Sequence, residues 1–210
     1  MTTTTRDKLA ELLLEIGAVS LSPDQPYTWS SGIQSPIYCD NRLLMAFPDE
    51  RKQVIQAFCT AIEELELTVD VIAGTSTAGI PHAAWISEAL NLPMAYIRGS
   101  AKGHGKQNRI EGRISKGDRV LIIEDLISTG GSSIEAAESV REAGGIVTDI
   151  LAIFSYNLHR SDELAKEKTI RIHTLTDFDA LIESASAQGN LTGDQLKSLR
   201  EWKLDPAGWK

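Results

Sequence analysis

Val120-Leu121-Ile122-Ile123-Glu124-Asp125-Leu126-Ile127-Ser128-Thr129-Gly130-Gly131-Ser132-Ser133 decides how this chain is read. Four consecutive aliphatic residues need both faces of a strand covered, as in the centre of a parallel sheet. The change to Ser, Thr and Gly marks the end of that strand. In open α/β sheets, ligands gather at the carboxyl ends of the strands. Gly130 and Gly131 permit a tight turn that brings backbone N–H groups close to an anion, and a helix opening near Ser133 adds the positive end of its dipole. Glu124 and Asp125 repel a phosphate. They are placed to accept hydrogen bonds from the hydroxyls of a sugar attached to it. The alternative is that the acidic pair is a solvated strand end and the glycines an ordinary strand-to-helix turn, though the ordered combination is more specific than its parts. The spacing is neither Gly-Lys-Ser/Thr-terminated nor G-x-G-x-x-G, so it matches neither a P-loop nor a dinucleotide fingerprint.

Working outward, strand and helix signals alternate. Strands are predicted at 69–73, 93–97, 119–124, 146–154 and 169–175, with helices at 80–90, 133–143, 177–187 and 192–202. Leu9, Leu12, Leu13 and Ile16 give an amphipathic helix over 7–17, and a longer one runs from Pro48 to about Leu65. Between them, Pro23, Pro26, Gly32 and Pro36 break residues 18–45 into a small lobe of loops and short strands. The expected architecture is α/β, a doubly wound, mainly parallel sheet flanked by helices, with a small N-terminal hood. A length of 210 residues suits one domain, with about 1–48 as the N-terminal helix and hood and about 49–210 as the core.

The chain is 42% hydrophobic and 24% charged, a globular balance, and its net charge of −8 disfavours non-specific binding to nucleic acid or anionic membranes. Cys39 and Cys59 are too few for a disulfide scaffold, and no apolar run reaches the length of a membrane span. A cytoplasmic protein is expected. His82, His159 and His173 have no second ligand at metal spacing.

Two further stretches bear on chemistry. Gly74-Thr75-Ser76-Thr77-Ala78-Gly79 follows the first parallel strand and opens a helix, making Thr75 and Ser76 a second candidate anion site. Residues 98–117 carry Arg98, Lys102, His104, Lys106, Arg109 and Arg113 among glycines and few apolar side chains, the pattern of a mobile cationic lid that neutralises charge on a leaving group.

The acidic pair with its Ser/Thr/Gly loop resembles the signature of the type I phosphoribosyltransferases. Tyr27-Thr28-Trp29-Ser30-Ser31-Gly32-Ile33-Gln34-Ser35-Pro36-Ile37-Tyr38-Cys39-Asp40-Asn41-Arg42, Lys102-Gly103-His104-Gly105 and Ile110-Glu111-Gly112 are similar to the orotate phosphoribosyltransferase branch. That resemblance implies transfer of a 5-phosphoribosyl group from phosphoribosyl pyrophosphate to orotate, with Mg²⁺ held mainly by substrate oxygens rather than by a protein metal site. It implies a homodimer with shared active sites. It places Arg98, Lys102, His104, Thr75, Ser76 and the run Glu124, Asp125, Leu126, Ile127, Ser128, Thr129, Gly130, Gly131 and Ser132 on phosphoribosyl pyrophosphate. Lys102 and His104 become the catalytic candidates, and Ser128, Tyr27 and Arg42 the orotate contacts. Three departures stand out. Gly99 replaces a Lys frequent after the Arg98 position, Ser30 replaces a Lys before the Ser-Gly pair, and Tyr156-Asn157 replace an Arg after the strand near Phe154. The orotate carboxylate is then left with Arg42, backbone amides or Ser128. A phosphoribosyltransferase for another base, or a non-enzymatic sensor of phosphoribosyl pyrophosphate, shares the phosphate loops and differs in the hood or in added modules.

Overall fold

A computed structural model of the chain describes residues 4–29, 32–99 and 109–209. Helix α1 (Thr5–Glu15) starts in a capping box, with the Thr4 hydroxyl accepting from the Asp7 N–H and the Asp7 carboxylate accepting from the Thr4 N–H. The chain turns at Gly17, whose φ is 72°, into the hood. There β1 (Val19–Leu21) pairs antiparallel with β4 (Ile37–Cys39), and β2 (Tyr27–Thr28) with β3 (Gln34–Ser35). A 3-10 turn (Asn41–Ala46) leads to α2 (Pro48–Glu64), which places Pro48 where its missing N–H costs nothing.

The remaining elements are β5 (Val71–Thr75), α3 (Gly79–Leu90), β6 (Met94–Ile97), β7 (Ile110–Gly112), β8 (Val120–Ile127), α4 (Gly131–Glu142), β9 (Asp149–Ser155), α5 (His159–Glu167), β10 (Arg171–Asp177), α6 (Phe178–Ala187) and α7 (Gly193–Leu204). One six-stranded sheet has the order β10-β9-β8-β5-β6-β7, all parallel except β7. Alternation divides its apolar residues between two cores. Ile72, Leu121, Ile123, Leu151 and Ile153 face a core shared with α1, α2, α3, α6 and α7, while Val71, Ala73, Val120, Ile122, Ile150 and Ala152 face the one covered by α4.

The alternating strands and helices stand as expected, with corrections at β5, β8, β9, β7 and α5. Strand β5 starts later and ends later than the apolar run suggests, because Gly74 and Thr75 still pair with Tyr96 and Ile97. Gly74 is therefore a strand residue, not part of a turn. A Cβ there would lie 2.8 Å from the Gly79 carbonyl, so its absence lets α3 pack close. Strand β8 continues through the acidic pair to Ile127, since β9 still pairs with Leu126 and Ile127 after β5 has ended. Strand β9 begins at Asp149 rather than 146, where Ile146 makes only an isolated bridge to Arg119. Within the segment expected to be a loop from 98 to 117, Ile110–Gly112 forms β7 antiparallel to β6; Ile110 supplied the one buried aliphatic anchor. Helix α5 went unrecognised because only Ser161 and Ala165 of its residues are buried, too weak a stripe to read.

An aromatic cluster holds the hood to the core. Trp202 of α7 is fully buried, its ring packs against Trp29, Tyr156 and Phe178, and its Nε1–H donates to the Gln34 carbonyl at 3.0 Å.

Candidate active site

The sheet order reverses between β5 and β8. From β5 the chain moves outward to β6, then returns to the other side of β5 and proceeds through β8, β9 and β10. The carboxyl ends of β5 and β8 therefore diverge into a crevice, the place where open α/β sheets bind ligands. Two helices open onto it. Neither α3 nor α4 has a side-chain cap among the described residues, and the first turn of α4 leaves the N–H groups of Gly131, Ser132 and Ser133 to an anion, whereas in α3 Pro81 has no N–H and the Ile80 N–H donates to the Thr77 carbonyl at 3.4 Å. Gly130 occupies the left-handed position before α4, φ 78°, which a side chain would strain. Gly131 has an ordinary φ, and a Cβ added there would meet no protein atom within 4 Å. Its missing side chain leaves room for a ligand.

Glu124 is 6% exposed, and its Oε1 accepts the Asp125 N–H at 3.0 Å. Burial, then the neighbouring Asp125, raises the Glu124 pKa; burial also raises that of Asp125, opposed by Glu124, backbone N–H groups and the Arg42 charge. Burial disfavours the ionised form of both carboxyls, which hydroxyl donors or a cation at the pair would restore. Asp125 and Leu126 line a cavity of about 310 Å³ with Cys39, Asp40, Arg42 and Thr77. This cavity lies between hood and core. Arg42 is held in place by Asp40, its Nε donating at 2.6 Å and its Nη2 at 2.9 Å. Asn41, fully buried, reaches from the hood to donate its Nδ2–H to the Asp125 carbonyl at 2.7 Å.

Beside it, a cavity of about 80 Å³ is lined by Ser76, Arg98, Gly99, Arg109, Ser132 and Glu135. A cavity of about 350 Å³ also occurs at the amino ends of the strands, but its Arg119 is held by Asp70 and its Arg171 by Asp149. It offers phosphate no uncompensated cation.

This arrangement matches known proteins along the whole chain. The family described as "Phosphoribosyl transferase domain" matches residues 47–182. An orotate phosphoribosyltransferase of Listeria monocytogenes serotype 4b is 52% identical over 202 residues, covering 96% of this chain and 97% of that protein. One from Coxiella burnetii is 51% identical over 203 residues, 97% of each chain. The chain belongs to the orotate phosphoribosyltransferase family. Among solved structures, the orotate phosphoribosyltransferase of Aeropyrum pernix has a TM-score of 0.75 at 26% identity, covering 88% of this chain and 99% of that one. Leishmania donovani UMP synthase has a TM-score of 0.81 at 29% identity, covering 96% of this chain and 42% of that one.

Against the expectations carried by that family, the crevice brings together Ser76, Arg98, Glu124, Asp125, Leu126, Ser132 and Arg42. Thr75 sits at the edge of the smaller cavity but is 4% exposed, and its hydroxyl donates to the Ile123 carbonyl at 3.3 Å. Ile127 is 1% exposed, so only its backbone faces the loop. Ser128, Thr129, Gly130 and Gly131 form the turn into α4. Tyr27 does not line the larger cavity; its ring packs on Tyr38 at 5.6 Å, and Trp29 belongs to the aromatic cluster. Lys102 and His104 lie outside the described residues. Of the other histidines, His159 pairs with Glu163 at 3.5 Å and His173 with Asp149 at 2.7 Å, while His82 is fully buried. Asp40, Asn41 and Arg109 were missed as site residues. All three lie in stretches that the sequence reading had marked, but nothing in a linear motif shows that Asn41 crosses to Asp125.

Proposed function

We propose that this chain transfers the 5-phosphoribosyl group of phosphoribosyl pyrophosphate to orotate, giving orotidine 5′-monophosphate and pyrophosphate in the de novo route to UMP. The observation that carries the reading is buried Glu124 beside half-buried Asp125, between two helix N-termini without side-chain caps and roofed by the Asp40–Arg42 clamp. The first turn of α4, with Ser128 to Ser132, receives the 5-phosphate. Glu124 and Asp125 hold the ribose hydroxyls, and the cavity beside Arg98 and Ser76 takes the pyrophosphate. Orotate lies under the hood with its carboxylate on Arg42 and Ser128.

The N1 electron pair of the orotate anion forms the new bond to C1′. The C1′–O bond breaks with its pair on pyrophosphate, inverting the anomeric carbon through an oxocarbenium-like transition state. Negative charge grows on the leaving oxygens, where Arg98, Lys102 and His104 stabilise it, and Lys102 supplies a proton as general acid. Proteins of this family generally use Mg²⁺ with the donor. Among the described residues no group of three or more His, Cys, Asp or Glu side chains could hold a metal ion alone, so Glu124 and Asp125 would share a Mg²⁺ with donor oxygens and water. Bound there, the cation neutralises charge on the donor.

The active species is a homodimer in which Lys102 and His104 serve the partner's site. Mixing Lys102→Ala subunits with Asp125→Asn subunits should recover activity that neither has alone; failure to do so refutes sharing. No helix among the described residues is long and apolar enough to cross a membrane, and both cysteines are free, which supports a cytoplasmic enzyme. The test of function is an absorbance assay with Mg²⁺ and phosphoribosyl pyrophosphate. Orotate should be consumed, whereas uracil, adenine and hypoxanthine should not; consumption of another base instead, or of none, contradicts the reading.

A further inference from the structure

Strands β6 and β7 pair Ile97 with Ile110, and the Arg98 N–H donates to the Arg109 carbonyl at 2.7 Å. Arg98 and Arg109 are therefore direct cross-strand neighbours on one face of the sheet end. Two like charges in that relation destabilise a ladder unless an anion joins them. The anions present are poorly matched to the task. Glu111 Oε1 is 3.7 Å from Arg98 Nη1, too long for a hydrogen bond, and that Nη1 is buried without a hydrogen-bond partner among the described residues. Glu135 Oε2 accepts from Arg109 Nη2 at 3.3 Å, and its side chain is 68% exposed, so the pair is weak.

The Arg109 guanidinium is nonetheless fixed in direction. Its Nε donates to the Arg98 carbonyl at 3.1 Å and its Nη2 to the Gly99 carbonyl at 2.8 Å. Gly99 itself donates its N–H to the Ser76 hydroxyl at 2.9 Å, and among the described residues a Cβ on it would meet only that Ser76 Oγ, at 3.9 Å. The room beside Gly99 is thus open on the cavity side and flanked by a guanidinium arriving from the opposite strand. The cavity, about 80 Å³, is roughly a quarter of the 310 Å³ cavity beside it, a size that suits a phosphoryl group rather than a base.

We propose that Arg109 is a pyrophosphate-binding residue, supplying across the β6–β7 ladder the second cation that Gly99 cannot. The inference rests on the proposed function and adds a residue to its pyrophosphate site. Glu135 holds the guanidinium over the cavity until the more highly charged pyrophosphate displaces it, an exchange favoured by the fork geometry of Arg toward phosphate oxygens.

The test measures calorimetric affinity for Mg²⁺-pyrophosphate and KM for each substrate in the wild type, Arg109→Ala, Arg109→Gln, Glu135→Gln and Arg109→Ala with Gly99→Lys. Loss of one charge-assisted contact should weaken pyrophosphate and raise the KM for phosphoribosyl pyrophosphate by about tenfold or more in both Arg109 variants, with the KM for orotate within about twofold. Glu135→Gln, which removes the competitor, should bind pyrophosphate at least as tightly as wild type, and Gly99→Lys should restore affinity to Arg109→Ala. If Glu135→Gln weakens binding as much as loss of Arg109 does, Arg109 only braces the ladder and the proposal fails. It also fails if Arg109→Gln folds and binds pyrophosphate like wild type while wild type consumes orotate. A wild type that neither consumes orotate nor binds pyrophosphate overturns this inference and the function beneath it together.

Discussion

Gly131 separates function from stability at a single position. Its backbone is not in the left-handed region and the place its Cβ would take is empty, so Gly131→Ala should fold as well as wild type, within about 0.5 kcal/mol. The same methyl group intrudes where the 5-phosphate must approach the N–H groups of α4. The expected result is an unchanged melting temperature with a KM for phosphoribosyl pyrophosphate raised about tenfold or more, the cost of displacing one charge-assisted contact; an unchanged KM would remove the phosphate from this turn. Glu124 gives the complementary case. Because burial and Asp125 raise its pKa, the native protein keeps a proton there that the unfolded chain releases above pH 4.5. Its contribution to stability therefore declines as pH rises from that value toward the raised one. Glu124→Gln should abolish that decline, melting higher than wild type near pH 8 with little difference at pH 4, while lowering turnover. A variant equally stable relative to wild type at both pH values would show that the pair titrates normally.

Elements were legible where a pattern repeats and obscure where one contact decides. The long apolar runs of β8 and β9, buried on both faces, announce a parallel sheet, and the Leu9, Leu12 and Leu13 stripe announces α1. Strand β7 was hidden because three residues, only one of them buried, resemble the charged loop around them. The hood's attachment was also hidden, since it depends on Trp202, far along the chain, donating to Gln34. Packing between α2 and α3 carries its own pH dependence. His82 of α3 is fully buried with both ring nitrogens lacking a hydrogen-bond partner, its ring against Trp85, which in turn carries Arg51 of α2 over its face at 4.3 Å. Burial, with a smaller effect from the Arg51 charge, lowers the His82 pKa from 6.5 to about 4. The unfolded chain thus binds a proton that the native state refuses, and stability present above pH 6.5 is lost as pH falls toward 4, by at most about 3 kcal/mol. In urea titrations, His82→Leu should flatten the stability profile across that window. A slope equal to that of wild type would assign the acid sensitivity to other groups.

Across the whole molecule, two strand-to-helix turns and a carboxylate pair meet because the sheet changes direction between β5 and β8, while the hood closes the crevice from a different part of the chain. The order of motifs along the sequence was enough to foresee a crevice at the carboxyl ends of β5 and β8 and the turns that border it. Arg42 was expected in the hood and lines the cavity with Asp125, but the sequence did not disclose that Asn41 crosses to Asp125, a contact made only by tertiary folding, and Tyr27, expected beside Arg42, packs on Tyr38 instead. The account depends on the corner from Glu124 to Ser132 gripping a ribose 5-phosphate. Crystals grown with Mg²⁺ and phosphoribosyl pyrophosphate test that most directly. The 5-phosphate should lie within hydrogen-bond distance of the backbone N–H groups between Thr129 and Ser132, with the ribose hydroxyls on Glu124 and Asp125; donor density elsewhere on the protein, with this corner empty, would contradict it.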